Sequence, residues 1–461
     1  MAWSSGLMGS IQNIKYWIAV SAETSVSTVR VISTAIDNNK NVYNLRGSDG
    51  LLHLTKFSPN GEVLDELSLD SVSAQYYPHS LAAVDGSIYA TLGDTYGSSG
   101  FPSSVIKVDG STLNRDYHMS LDSNFIGSPA DTFSVPSEPN YVYHSARSGT
   151  NTFSIGIAKV LKADGSFAWK KSATTPESYA PNSAGVYSSL SSSIVLLGGD
   201  RGTTPLGDSE YMGGMVSIAP SDGSFIKYKR FLIDASSAAN DYTRVWAADT
   251  GSDGYIYAVG NTTAVDGVQK AFMVKIDPSS DSIVWTRLFS NVTFNGTVDA
   301  EMTCTTDHNN NTYLVMHSTY PRITKVDSNG NIVWSRKINT ETSPLYPTSP
   351  NSIRRPIRVD CDKSSLYLTI EAWNDSAAPY PSKTVVMKLP SNGGLTGSYS
   401  INGVNIDYAV DSDISISSVT SAVVIDLPEV NNFSWNDSTA VDTPYAFTDS
   451  ALNSSFVSEE L

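Results

Sequence analysis

Along most of the chain, short runs of alternating apolar and polar residues are cut by clusters of Asp, Asn, Gly and Ser. One copy is Lys275-Ile276-Asp277, a polar turn, then Ile283-Val284-Trp285; another is Lys-Val-Asp-Ser-Asn-Gly-Asn-Ile-Val-Trp over Lys325–Trp334. Such runs, with β-branched and aromatic residues alternating with polar ones, read as strands, and the clusters between them as tight turns. No segment sustains an apolar period of 3.6, so no amphipathic helix is expected.

The pattern repeats. A third copy is Ala163-Asp164-Gly165-Ser166-Phe167-Ala168-Trp169. With the turn Gly as register mark, copies fall at Gly61, Gly110, Gly165, Gly223, Asp281 (in the Gly slot), Gly330 and Gly393, a period of about 55 residues. Each unit reads as four strands: a first of small residues, a second with Tyr in register (Tyr43, Tyr89, Tyr143, Tyr257, Tyr313, Tyr367), a third bearing Lys and a fourth bearing Trp. The fourth unit departs, with Ile194-Val195 at the Tyr strand. This period is too long for a helical or leucine-rich solenoid and fits propeller blades. The expected fold is all-β, a β-propeller of about seven four-stranded blades over residues 27–402, with eight as the alternative count. Residues 1–26 would supply a closing strand at Tyr16–Val20. Blade seven reads as having its own fourth strand at 396–401; the eight-blade alternative joins the closing strand to 405–410, 414–419 and 422–427.

Composition changes the picture at the C-terminus. The chain has 461 residues and a formal charge of −16, of which −10 lies after Lys388, where no Lys, Arg or His occurs. Negative charge argues against nucleic acid and anionic membrane as partners. No stretch is long and apolar enough for a span. The first 20 residues carry one cation, Lys15, and no apolar run before a cleavage site, so no secretory signal is expected. Residues 403–461 read as a C-terminal acidic segment, and from Pro428 onward as a Ser/Asn-rich tail that cannot bury enough of itself to offset the entropy of ordering. Its aromatics Phe433, Trp435, Tyr445, Phe447 and Phe456 would suit pockets on a partner, so the expectation is an extended assembly arm pinned against a neighbouring subunit.

Motifs for chemistry are sparse. The six His show no metal-ligand spacing, and neither a nucleophile elbow nor a phosphate-cradling loop is present. The acidic turns at Asp307–Asn311, Asp277 with Asp281, and Asp411 with Asp413 lack the full calcium-loop spacing and read as hairpins. No catalytic, cofactor or metal residue is assigned, and no enzyme is expected. Trp169, Trp285 and Trp334 recur at one blade position and read as packing between blades rather than sugar platforms. Tyr76-Tyr77-Pro78-His79, Tyr179-Ala180-Pro181, Tyr346-Pro347 and Tyr380-Pro381 offer rigid amphipathic contact area. Cys304 and Cys361, on corresponding first strands, leave open a disulfide or two buried thiols.

The units Lys325–Trp334 and Lys275–Trp285 resemble quinoprotein-like β-propeller repeats, most of all the propellers in virion proteins of tailed phages, especially marine ones, over residues 15–402. The redox branch of that superfamily uses a quinone, calcium and often a vicinal Cys pair; Cys304 and Cys361 lie 57 residues apart, and no catalytic residue carries over. The resemblance implies a structural virion protein of the tail, a docking or display disc without cofactor. Its partners would be other virion proteins, copies of itself, or a host surface glycan or receptor. Release by lysis would reconcile the charge-poor, Ser/Thr/Asn/Tyr-rich surface with the absent export signal. The alternatives are a carbohydrate- or receptor-binding adhesin and an exported propeller enzyme, a lyase or quinoprotein. An acid/base constellation in the central channel would favour the enzyme.

Overall fold

A computed structural model describes residues 15–21, 32–48, 51–69, 77–93, 104–120, 129–148, 154–174, 184–203, 209–233, 243–263, 268–290, 292, 302–317, 321–339, 355–373, 382–402, 404–425, 434–437, 449–451 and 456–461. Among them the regular elements are strands, grouped in seven antiparallel sheets. The innermost strand of each sheet touches those of both neighbours, the first also touching the seventh, so the sheets close into a seven-bladed propeller.

Blade one shows the unit: Ile32–Ile36, Val42–Ser48, Leu51–Phe57 and Val63–Leu69, from the centre outward. Blades two to six repeat it in chain order. Blade seven contributes only Arg355–Cys361, Ser365–Trp373 and Ser382–Pro390 from its own repeat. Its fourth strand is the N-terminal Trp17–Ser21, which pairs Trp17 with Lys388 as Trp334 pairs with Lys325 in blade six. The expectation that 396–401 completes blade seven is therefore corrected. Gly397–Ile401 is the outermost strand of the blade-six sheet, bonded to Val404–Val410.

The turn marks have a stereochemical cause. Gly61, Gly165, Gly223, Gly330 and Gly393 all have positive φ, and Asp281 matches them at 54°. Blade two differs: Leu113 (φ 53°), not Gly110, takes the left-handed conformation. At Gly61 (φ 87°) a Cβ would also lie 2.6 Å from the Trp17 ring, so the position must be small as well as left-handed. The core lies between blades. One cluster joins Tyr43, Leu54 and Leu67 of blade one to Leu81, Leu92 and Ile106 of blade two, and similar clusters fill other seams. The sheets thus pack face to face through alternating inward residues.

The described strands of the acidic segment lie on the ring. After Val404–Val410 on blade six, Ser415–Val419 adds to blade five, Val423–Ile425 to blade four and Ser434–Asp437 to blade three. Asp449–Ala451 then adds to blade one, and Phe456–Glu460 pairs with Trp17–Ser21 in blade seven. The segment is a belt that follows the rim against chain order. Residue 402 falls in the hairpin turn between Gly397–Ile401 and Val404–Val410, so the expected boundary there separates nothing. The eighth-blade alternative also falls, because its three strands lie on blades six, five and four. The segment meets the entropy objection by backbone pairing. The fourth strand of a blade exposes a row of unpaired N–H and C=O groups, and an extended chain can satisfy them while burying little of its own side chains. Val457 remains 52% exposed.

Candidate functional site: blade seams and the channel mouth

The recurring Tyr, Lys and Trp stand side by side. Tyr43, Tyr89, Tyr143, Tyr257, Tyr313 and Tyr367 lie opposite Lys56, Lys107, Lys159, Lys275, Lys325 and Lys388. In blades three, five, six and seven that lysine lies in turn opposite Trp169, Trp285, Trp334 and Trp17. Each tryptophan reaches the turn that follows the third strand of the next blade. The indole N–H groups donate to Ser221 O (3.3 Å), Ser328 O (3.1 Å), Ser391 O (3.2 Å) and Pro59 O (3.1 Å) respectively. Lysines share these acceptors: Lys159 donates to Ser221 O at 3.0 Å and Lys388 to Pro59 O at 2.9 Å. Trp169, Trp285 and Trp334 are thus held within the seams.

The acidic turns serve the same seams. Asp37, Asp253, Asp307 and Asp362 accept from the hydroxyls of Tyr43, Tyr257, Tyr313 and Tyr367 at 3.1, 3.1, 3.3 and 3.0 Å. Burial, and then the carboxylate alongside, raises the pKa of each of these tyrosines. Asp307 also accepts from the backbone N–H of Asn309 and Asn311, both at 2.9 Å, the geometry of a self-bonded turn. Asp277 accepts from Ser279 N at 2.8 Å, and Asp411 lies 3.5 Å from Arg322. Tyr313→Phe removes the single O–H donor that stands 3.3 Å from both the Asp307 carboxylate and Ser391 O. We expect it to cost about 1–2 kcal/mol in denaturant unfolding with no change in fold. A neutral result would mean that the tyrosine hydroxyl does not tie the blades.

Blade four explains its own departure. Val195 stands opposite Ser217, and Ser217 opposite Lys227, so the cation has moved from the third strand to the fourth. Lys227 still reaches the next blade's turn, donating to Pro278 O at 2.7 Å and pairing with Asp281 at 2.6 Å. Asp281 sits in the Gly slot and answers that lysine.

Sequence reasoning missed two carboxylates. Asp249 and Asp360 occupy the first-strand position opposite Tyr257 and Tyr367, and both are half-buried at the ring centre. Each bonds the following N–H of its own strand at 2.7 Å and reaches across to the next blade. Asp249 accepts from Thr306 N at 2.7 Å and from the Thr305 hydroxyl at 3.4 Å; Asp360 accepts from the backbone of Ile36. Asp131 does likewise, accepting from Gly185 N at 3.2 Å. Desolvation pushes Asp249 up to about 6 and Asp360 up to about 7, against the pull of their amide donors; Asp131 adds to the rise at Asp249, and Asp249 to that at Asp360. The available signal was a second acid shortly before the turn acid, in Asp249–Asp253 and Asp360–Asp362.

Asp360 borders a cleft of about 290 Å³ between blades one, six and seven, shared with Asp37, Thr306, Asp307, Cys361 and Asp362. Lys40 stands 3.6 Å from Asp362 and Lys325 3.5 Å from Asp307. Cys361 and Cys304 are both free thiols. Cys304 faces blade five, 3.8 Å from Tyr257 O, and Cys361 faces Thr305 of blade six at 3.8 Å. Burial, and then Asp360, pushes the Cys361 thiol up, so it stays protonated and is a poor nucleophile. Among the described residues no group of three or more His, Cys, Asp or Glu is placed to hold a metal ion. The cleft can move a proton at Asp360 near neutrality; its other carboxylates are tied to turns and lysines.

Of the predicted arm residues, Trp435 lies on the strand opposite Ala173 of blade three. The Phe456 ring meets Phe57 edge-on at 5.1 Å and lies under the Arg46 guanidinium at 4.9 Å. Phe433, Tyr445 and Phe447 lie outside the described residues, as do Tyr76, Tyr179, Tyr346 and Tyr380.

No family model and no curated protein matches the chain. Solved structures do match in part. Phage phi92 endosialidase is 10% identical, with 86% of this chain and 75% of that one covered and a TM-score of 0.39. A protein of unknown function from Dyadobacter fermentans is 10% identical over 81% and 99% of the two chains, with a TM-score of 0.41. A luciferin-regenerating enzyme is 13% identical over 67% and 89%, with a TM-score of 0.35. At such values the likenesses carry no argument about chemistry; the propeller rests on the strand pairings above.

Proposed function

We propose that this chain is a non-enzymatic structural virion protein of a tailed phage, a tail-associated disc used for docking or display. The observation that carries this reading is the allocation of polar groups. The repeated Tyr, Asp, Lys and Trp side chains, and the backbone edges of the fourth strands, are used to fasten blades and belt into one rigid body. Strands alternate in direction, so the second-to-third and fourth-to-first connections all leave from the face opposite the short turns. The fourth-to-first connections on that face are long in most blades, and several connections there carry Tyr/Pro residues in their sequence, such as Tyr179-Ala180-Pro181 and Tyr346-Pro347. A rigid body with such connections on one face suits contact with other virion proteins, further copies or a host surface glycan. The setting comes from the resemblance of the repeat to phage propellers. Gold-labelled antibody against the propeller should decorate the tails of purified particles. Absence of the chain from such particles by mass spectrometry would overturn the virion reading. Strong, selective binding to a glycan array by the free protein would shift the reading to an adhesin.

A second reading, enzymatic, is favoured by one observation: two carboxylates titrating near neutrality, one of them bordering the cleft. Cleavage of a polysaccharide by the purified protein that is lost in Asp360→Asn would support it. Against it stands the use of both carboxylates as acceptors for the backbone of the adjacent blade.

A further inference from the structure

We infer that the C-terminal belt is a lock on ring closure, its last strand holding the chain's first strand in place. The order of the chain is broken in blade seven, where Trp17–Val20 meets Val385–Lys388 over four register pairs. In a four-stranded blade this N-terminal strand would be an edge, free to fray from its end. Here Phe456–Glu460 pairs along all five residues of Trp17–Ser21 on the outer side. Leu461 N donates to Tyr16 O at 2.9 Å, and Lys15 meets Glu460 at 2.8 Å. The first strand therefore cannot leave alone; two ladders must break.

The two ends of the belt meet at this joint. Asn402, in the turn of the belt's first hairpin, donates to Ser21 O at 2.8 Å. Leu461 packs against the cluster that holds Ile18, Val20, Ile401 and Val404. Phe456 crosses the seam from blade seven to Phe57 and Arg46 of blade one. The inner ring closes between the third and fourth strands of blade seven, and the outer ring closes beside it, so the joints are staggered. With Val457 52% exposed, the last strand adds mainly hydrogen bonds that must break before the ring opens. Such contacts act on the unfolding rate.

The test compares the full chain with a chain ending at Ala451. The readouts are amide exchange resolved by segment and the unfolding rate in denaturant. The lock predicts at least tenfold faster exchange over Trp17–Ser21 and faster ring unfolding, with exchange over Ser209–Ile218 of blade four unchanged. If the shortened chain does not fold, Phe456→Ala in the intact chain gives the second reading, a severalfold rise confined to the same segment. Unchanged exchange at Trp17–Ser21, or an equal rise in every blade, would overturn the proposal.

Discussion

Deletion of residues 1–22 is expected to lower the melting temperature by tens of degrees or to prevent folding. The strand it removes is fully buried: Trp17, Ile18 and Val20 are each 0% exposed. At about 2–3 kcal/mol for each such side chain, these three alone are worth about 6–9 kcal/mol. That rivals the whole stability of an ordinary domain, about 5–15 kcal/mol. The deletion also leaves Pro59 O without the Trp17 indole donor and exposes strand edges on both sides of the gap. A melting curve indistinguishable from the intact chain would show that the ring closes without this strand. Blade seven would then have to be rebuilt from other residues.

Replacing Asp249 and Asp360 together by Asn is expected to make stability fall more steeply toward acid between pH 6 and 4 than in the parent. Four buried groups oppose one another in that window. Asp249 and Asp360 titrate near 6 and 7 in the folded protein, against about 4 in the unfolded chain. Across the interval the native state holds protons that the unfolded state has released, so these two favour folding increasingly as pH falls. His118 and His144 are pushed down to about 3 by desolvation, His118 also by Arg115. Below about 6.5 the unfolded chain takes up protons that these two refuse, and stability falls with pH. Each group contributes up to about 1.4 kcal/mol per pH unit, so two against two nearly cancel. The double Asn variant keeps an acceptor oxygen for Thr306 N and the Ile36 backbone but loses the opposing slope. Over two pH units the deficit should reach about 5 kcal/mol. The carboxylates held low by their turns, such as Asp109 at about 2, cost stability below about pH 5 as the unfolded chain takes up protons, but they do so equally in variant and parent and drop out of the comparison. Denaturant unfolding at pH 4.2, 5 and 6 checks this; parallel profiles for variant and parent would refute the opposing-pair account.

Much of the ring was legible in the chain. Lys325-Val326-Asp327-Ser328-Asn329-Gly330 announces a strand, a left-handed turn and a return strand, because each step is a local constraint: alternation, positive φ and turn self-bonding. The closing role of Trp17 was legible because its strand matched the other Trp-bearing strands. The position of 396–401 was not. Its alternation fits any blade edge, and only the prior occupation of blade seven by Trp17–Ser21 sends it to blade six. The channel carboxylates stayed hidden for a similar reason. Asp249 and Asp360 look like turn acids until two blades are side by side and an amide of the next blade stands before each.

The belt marks the same division most clearly. Composition marks residues 428–461 as a stretch with little of its own to bury. It could not say what would order them, because unpaired strand edges belong to an assembled ring and to no stretch of sequence. By itself the sequence determined the blade unit, its repetition and the strand that closes it, all set by contacts between near neighbours and by backbone stereochemistry. The tertiary structure alone decided which edge each C-terminal strand covers, how the Asp carboxylates span the seams and where the first and last described strands meet. Those outcomes depend on groups brought together from across the chain, as Lys15 is with Glu460.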